Sequence, residues 1–222
     1  MCFVRRNKVI LKFKDIIMTV SKILSSTLAV SALALAAPAT AKIATGSNVA
    51  DMTVTDSNGV QHNLSDFAGQ KVVLEWTNEG CPYVAKHYST NNMQKTQASA
   101  EADGAVWLSV ISSAPGKQGY KTGAEANAWK DAQGAEVTAI VLDPEGSMGK
   151  TFAAKTTPHM YIIDEAQTLV YQGAIDDNRS ANPATVAGAT NYVLAAMDDL
   201  KAGNAVAVSD TAPYGCSVKY KS

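Results

Sequence analysis

Cysteine, arginine and long apolar runs are all scarce in these 222 residues, and each scarcity narrows the reading. The longest apolar run, Ile23 to Ala37, falls short of the roughly 20 residues a membrane span needs. It follows a weakly basic opening, Met18-Thr19-Val20-Ser21-Lys22, and precedes Ala39-Thr40-Ala41. Those are the parts of a secretory signal peptide cleaved after Ala41. Residues 1–17 are then an extended basic opening, or they lie upstream of a start at Met18. The alternative is that the same segment stays as an N-terminal anchor. The expected domains are a signal peptide at 1–41 and one folded domain at 42–222, long enough for a sizeable core. No internal repeat or low-complexity linker interrupts that domain. It carries 13 basic and 19 acidic residues, a balance of −6, and its single arginine is Arg179. A mildly acidic surface argues against a nucleic-acid partner. Export to the periplasm is expected, with no stable membrane association after cleavage.

Of the three cysteines, Cys2 leaves with the signal segment, so Cys81 and Cys216 stand alone in an oxidising compartment. The simplest reading of such a pair is a disulfide, structural or catalytic. The surroundings of Cys81 favour chemistry. Val72-Val73-Leu74 is a short β-branched run suited to a central strand, and Pro82 suits the first position of a helix. Cys81 then becomes the N-cap, where free backbone N–H groups and the helix dipole favour negative charge. A cysteine so placed ionises readily, and the thiolate is the nucleophile.

The remaining pattern is strand, helix, strand, then a β-hairpin and a helix. Ala50–Thr55 and Gln61–Asn63 flank a turn at Asp56-Ser57-Asn58-Gly59, an N-terminal β-hairpin. Strands are expected at Lys71–Trp76, Ala105–Ser112, Val137–Leu142, Met160–Asp164 and Thr168–Gly173. Helices are expected from Pro82 to about Ala102, with a break near Ser89–Asn92, then at Ala124–Gln133 closed by Gly134, at Ser147–Ala154, and within Pro183–Ala202. The last twenty residues read as irregular. The order indicates an α/β fold, a central mixed sheet with helices on both faces.

The stretch Trp76-Thr77-Asn78-Glu79-Gly80-Cys81-Pro82-Tyr83-Val84 resembles the thioredoxin-like superfamily, whose reactive cysteine sits between a core strand and the first long helix. The opening segment, Asp51 to Gly69, is similar to the redoxin branch of alkyl hydroperoxide reductases and thiol-specific antioxidants. Val84 stands where thioredoxins carry a second cysteine, so no local Cys-x-x-Cys disulfide forms. Asn78 stands where typical peroxiredoxins carry a threonine. The pattern is nearest a peroxiredoxin-like subgroup with Asn-x-Cys-Pro-Tyr/Phe-Val and a late Gly-Cys-x-x-Lys, here Gly215-Cys216-Ser217-Val218-Lys219. The resemblance also implies a cis bond at Thr157-Pro158, facing the cysteine and presenting the Thr157 backbone to an extended substrate. Gly173-Ala174-Ile175-Asp176-Asp177 matches a further motif of that subgroup.

The expected chemistry is thiol oxidoreduction. Cys81 attacks a peroxide or a partner disulfide, Cys216 resolves the product as a Cys81–Cys216 disulfide, and an external thiol reductant resets it. Trp76, Thr77, Asn78, Pro82, Thr157 and Pro158 would shape the pocket. Arg179 would pair with Asp176 or Asp177 as a solvated surface ion pair worth under about 1 kcal/mol, the preferred reading, or lie near the sulfur. About 13 residues separate the last helix from Cys216, an extended reach of up to roughly 43 Å, so distance permits the pair. As a mere staple the disulfide would contribute about 4–5 kcal/mol in a chain-entropy account. No organic cofactor or metal is required. Two rivals remain: a copper- or other metal-binding protein using Cys81, Cys216, His159 and Met160, and a redox-inert binding domain with a structural disulfide. His62 and His87 receive no role.

Overall fold

The computed structural model describes residues 42–221. The signal-peptide segment, residues 1–41, therefore lies outside the described residues. Among those described, no helix is long and apolar enough to cross a membrane.

In chain order the elements are β1 (Thr53–Asp56), β2 (Gln61–Asn63), β3 (Val72–Trp76), α1 (Pro82–Ser89), α2 (Asn92–Ala102), β4 (Val106–Ile111), α3 (Gly123–Gln133), β5 (Ala139–Leu142), α4 (Ser147–Thr151), β6 (Thr156–Thr157), β7 (His159–Ile163), β8 (Leu169–Gly173), α5 (Tyr192–Lys201) and β9 (Cys216–Ser217). Seven of the strands form one sheet in the order β2-β1-β5-β4-β3-β7-β8. The β3, β4 and β5 pairs are parallel, and β1, β7 and β8 join antiparallel. The sheet is thus mixed, and the β1–β2 hairpin lies at one edge.

Strand parity sorts the core. Val73 and Trp107 point to one face and pack with Val84, Tyr88, Met93, Trp129 and Val193 from the covering helices. Val72, Leu74 and Trp76 alternate to the other face, against Leu64, Met148 and Phe152. The three central strands β3, β4 and β7 are buried along their whole length, as expected for strands covered on both faces.

The local punctuation has physical causes. Thr122 and Glu125 form a reciprocal cap at the start of α3, and Gly134 closes it at φ 58°. The expected break between α1 and α2 falls at Asn91, which adopts φ 57°. An asparagine enters that left-handed region more readily than most residues. The carboxyl-terminal stretch departs from the irregular run expected. Its β9 pairs antiparallel with β6, Thr157 opposite Cys216 and Thr156 opposite Ser217. The partner strand is only two residues long and lies some sixty residues earlier, so no local pattern announces it.

Candidate active site

The site is built where β3 feeds α1. Cys81 has extended backbone angles at the N-cap of α1, Pro82 takes the first helical position, and Ala85 N–H bonds back to the Cys81 carbonyl at 2.9 Å. Cys81 is fully buried. Its sulfur lies 3.0 Å from the Thr157 carbonyl, to which the thiol donates when protonated.

Cys216, paired with Thr157 across β6 and β9, meets it there. Both thiols are free in this structure, and they share a hydrogen bond. Burial opposes ionisation of Cys81. The Cys216 thiol, Thr157, and the Val84 and Cys216 backbone N–H groups overcome it and hold the Cys81 pKa below the ordinary thiol value. The Thr157 hydroxyl is buried and makes no hydrogen bond that satisfies geometry, yet it lies near enough to the sulfur to favour the thiolate. Cys216 moves the other way. Burial first, then its bond to Cys81 and the charge there, push it up to about 11, with Lys219 opposing. A thiol whose pKa is lowered in contact with one whose pKa is raised is the bias that two-step thiol chemistry uses.

The other expected residues divide. The Thr157-Pro158 bond is cis, and the Thr157 carbonyl and hydroxyl both serve Cys81. Asn78 clamps rather than reacts: its amide nitrogen donates to Gln118 Oε1 at 2.9 Å, its amide oxygen accepts from Gly80 N–H, and its carbonyl accepts from Cys81 N–H at 3.0 Å. Gly119 lies so close that a Cβ there would come within 2.4 Å of the Asn78 amide. Thr77 is buried beside Glu75.

Two expectations need correcting. Trp76 is not a pocket wall. It shares parity with Val72 and Leu74, packs in the opposite core against Phe152 and Tyr161, and donates to Ser112 at 3.0 Å. Arg179 pairs with neither Asp176 nor Asp177. It is exposed, and its guanidinium donates to the Ala212 carbonyl at 3.4 Å. As for the metal rival, no three His, Cys, Asp or Glu side chains gather to hold an ion among the described residues.

Two buried polar networks escaped the sequence reading. In the first, the Glu75 carboxylate is fully buried on β3 and accepts from Tyr88, Gln97, Trp107 and Ser109. None of these donors is charged, so burial dominates and raises its pKa. In the second, the ion that Arg179 was expected to supply comes from Lys86. Its side chain is fully buried, and Nζ donates to Asp176 at 3.2 Å and to the Asn178 carbonyl at 2.9 Å. The Tyr214 hydroxyl donates to the other Asp176 oxygen and lies 3.1 Å from His87 Nε2. Asn92 contacts His87 Nδ1 at 2.8 Å. One consistent assignment runs Asn92 to His87 to Tyr214 to Asp176, with His87 neutral and protonated at Nε2. Burial, against the pull of Asp176, drops the His87 pKa to about 4. Tyr214 is two residues from Cys216, so this network anchors the tail that carries the second thiol. The spacing of Lys86 from Cys81 on one short helix was the available signal, but a lone lysine on a helix reads as solvated.

The thioredoxin-like fold agrees with the comparisons. The redoxin family profile matches residues 44–192, and the chain belongs to that family. No curated protein matches it. Among solved structures the chain is similar to a hypothetical protein from Sinorhizobium meliloti, with a TM-score of 0.68 at 22% identity over 82% of this chain and 97% of that one. It is also similar to an uncharacterized conserved protein from Geobacillus kaustophilus, at 0.69 and 20% identity over 82% and 94% of the two chains. These two structures share the fold.

Proposed function

We propose that the protein is an exported two-cysteine thiol oxidoreductase of the peroxiredoxin-like kind. The observation that carries the reading is the contact between a low-pKa thiol, Cys81, and a high-pKa thiol, Cys216, at a helix N-terminus. The Cys81 thiolate attacks one oxygen of a peroxide. The O–O bond breaks, Cys81 becomes a sulfenic acid, and the departing alkoxide or hydroxide takes up a proton. Cys216 sulfur then attacks the sulfenic sulfur, a Cys81–Cys216 disulfide forms and water leaves. An external dithiol returns both cysteines to thiols and is itself oxidised to a disulfide. No metal or organic cofactor takes part. A partner disulfide is the alternative oxidant at the same sulfur.

The test is peptide mass spectrometry of Cys81 and Cys216 before and after one equivalent of hydrogen peroxide. Wild type should lose both thiols to one intramolecular disulfide. Cys216→Ser should hold Cys81 as a sulfenic acid that a dimedone probe traps. Protein that keeps both thiols does not reduce peroxide through this pair, and a disulfide that resists a redox-poised thiol buffer is a structural staple instead.

A further inference from the structure

Residues 214–220 lie across the site as a strap. Upstream, Tyr214 is pegged by Asp176 and His87, and its ring meets Tyr83 edge-on at 5.8 Å. Downstream, Tyr220 donates to the Ala154 carbonyl at 2.8 Å, and its ring sits against Gly146 and Gly149. Between the pegs, β9 pairs with β6, Val218 N–H bonds to the Lys155 carbonyl at 3.0 Å, and Ala114 N–H bonds to the Lys219 carbonyl at 2.9 Å. Gly215 makes the closest approach. A Cβ at that position would lie 2.1 Å from the Thr157 carbonyl oxygen, and its φ of 132° is one that side-chain-bearing residues rarely adopt.

The strap fills a particular edge. A bare strand edge beside a nucleophile is a template on which an extended polypeptide adds by backbone pairing. Here that edge is β6, and the chain's own tail already occupies it, with Cys216 opposite Thr157. Paired strands lie about 4.8 Å apart, so an incoming polypeptide and the strap cannot share the edge. Cys81 is fully buried beneath this arrangement, whereas Cys216 is partly exposed. Of the two contacting thiols only Cys216 reaches the surface.

We propose that the strap is a built-in occupant of the polypeptide edge and sets the substrate class: a small peroxide reaches Cys81 with the strap in place, and an extended polypeptide disulfide reaches it only when the strap lifts. This rests on the reading of Cys81 as the nucleophile. Gly215 and the two tyrosine pegs are then specificity-determining residues that act through position.

The experiment uses the full chain with Cys216→Ser, which removes the resolving thiol but keeps the strap. Cys81 is followed by peptide mass spectrometry. One probe is hydrogen peroxide. The other is a cysteine-containing hexapeptide carried as its nitrothiobenzoate mixed disulfide. Attack by Cys81 on the peptide sulfur forms a Cys81–peptide disulfide and expels the coloured nitrothiobenzoate thiolate. Adding Gly215→Val, or Tyr220→Ala should the valine variant fail to fold, should speed the peptide reaction by about tenfold or more, as loss of one or two backbone hydrogen bonds implies. The peroxide rate should change far less. Equal peptide rates with and without the strap lesion overturn the proposal, as does an equal gain for both probes. A strap lesion that releases the peptide reaction, in protein inert to peroxide throughout, upholds the strap as a gate and overturns the peroxide as substrate.

Discussion

Cys81 and Cys216 meet through a thiol and a backbone hydrogen bond, yet they come from segments built in opposite ways. Cys81 sits at a junction that its own neighbours define: a buried β-branched strand behind it and a proline-led helix in front. Cys216 belongs to a two-residue strand whose position depends on contacts far away in sequence, through Tyr214 to Lys86 and Asp176 and through Tyr220 to Ala154. The first segment supplies the helix N-terminus, and the tail adds the Cys216 thiol and backbone N–H that favour the Cys81 thiolate. The second supplies access and resolution; its Tyr214 anchors, Lys86 and His87, lie on α1 itself, whereas its Tyr220 anchor at Ala154 can be loosened without touching that helix. Separating these two roles is the way to test the comparison.

The largest effect should come from the tail's anchor. Lys86→Met leaves the Asp176 carboxylate buried and uncompensated, and breaking such a pair costs about 3–5 kcal/mol. Denaturant melts should show that loss, and Cys81 should become open to a maleimide under native conditions. The double variant Lys86→Met, Asp176→Leu should recover much of the stability but not the protection of Cys81. Full protection in the double variant would separate the anchor from the strap.

A smaller effect comes with pH. His87 is neutral when folded with a pKa of about 4, and an unfolded histidine titrates near 6.5. Above about 6.5 neither state binds the proton, and stability is full on this account. As pH falls from there toward the folded value, the unfolded chain gains protons first, and stability drops by up to about 1.4 kcal/mol per unit. His159 behaves alike, its pKa dropped to about 3 by burial and then by Lys155 and Lys42. Glu75 has the opposite sign. Its raised folded pKa gives stability that is full below the unfolded value and lost as pH rises through the folded one. Urea melts across this range should therefore slope more steeply in Glu75→Gln than in wild type.

The smallest effect sharpens the contrast at the sulfur. Thr157→Val keeps the carbonyl contact but removes the hydroxyl. It should raise the Cys81 pKa by about one unit or less, the worth of a single hydrogen bond. Ultraviolet thiolate absorbance reads it. Strap protection, measured by maleimide labelling, should not change.

The difference between the segments also explains what was legible. The Cys81 junction, the α1–α2 break at Asn91, the Gly134 stop and the succession of strands and helices of an α/β sheet all follow from local propensity and periodicity. Trp76 was misplaced although parity with Val72 and Leu74 assigns its face, because nearness to Cys81 in sequence was taken for nearness in space. Glu75 and Lys86 were passed over because a charge becomes a buried network only through partners from distant elements, here Trp107 on β4 and Asp176 beyond β8. Arg179 drew the attention that belonged to Lys86 because it was the lone arginine near two aspartates. The turn actually buries Asp176 and leaves the guanidinium outside.

The most direct test of the account is the pH dependence of Cys81 oxidation by hydrogen peroxide, read by peptide mass spectrometry in wild type and Cys216→Ser. A Cys81 pKa held below the ordinary thiol value of 9.0 predicts a rate whose half-maximum lies below that pH, with the wild-type product a Cys81–Cys216 disulfide. A half-maximum at or above 9.0, or a wild-type product that never engages Cys216, would contradict it.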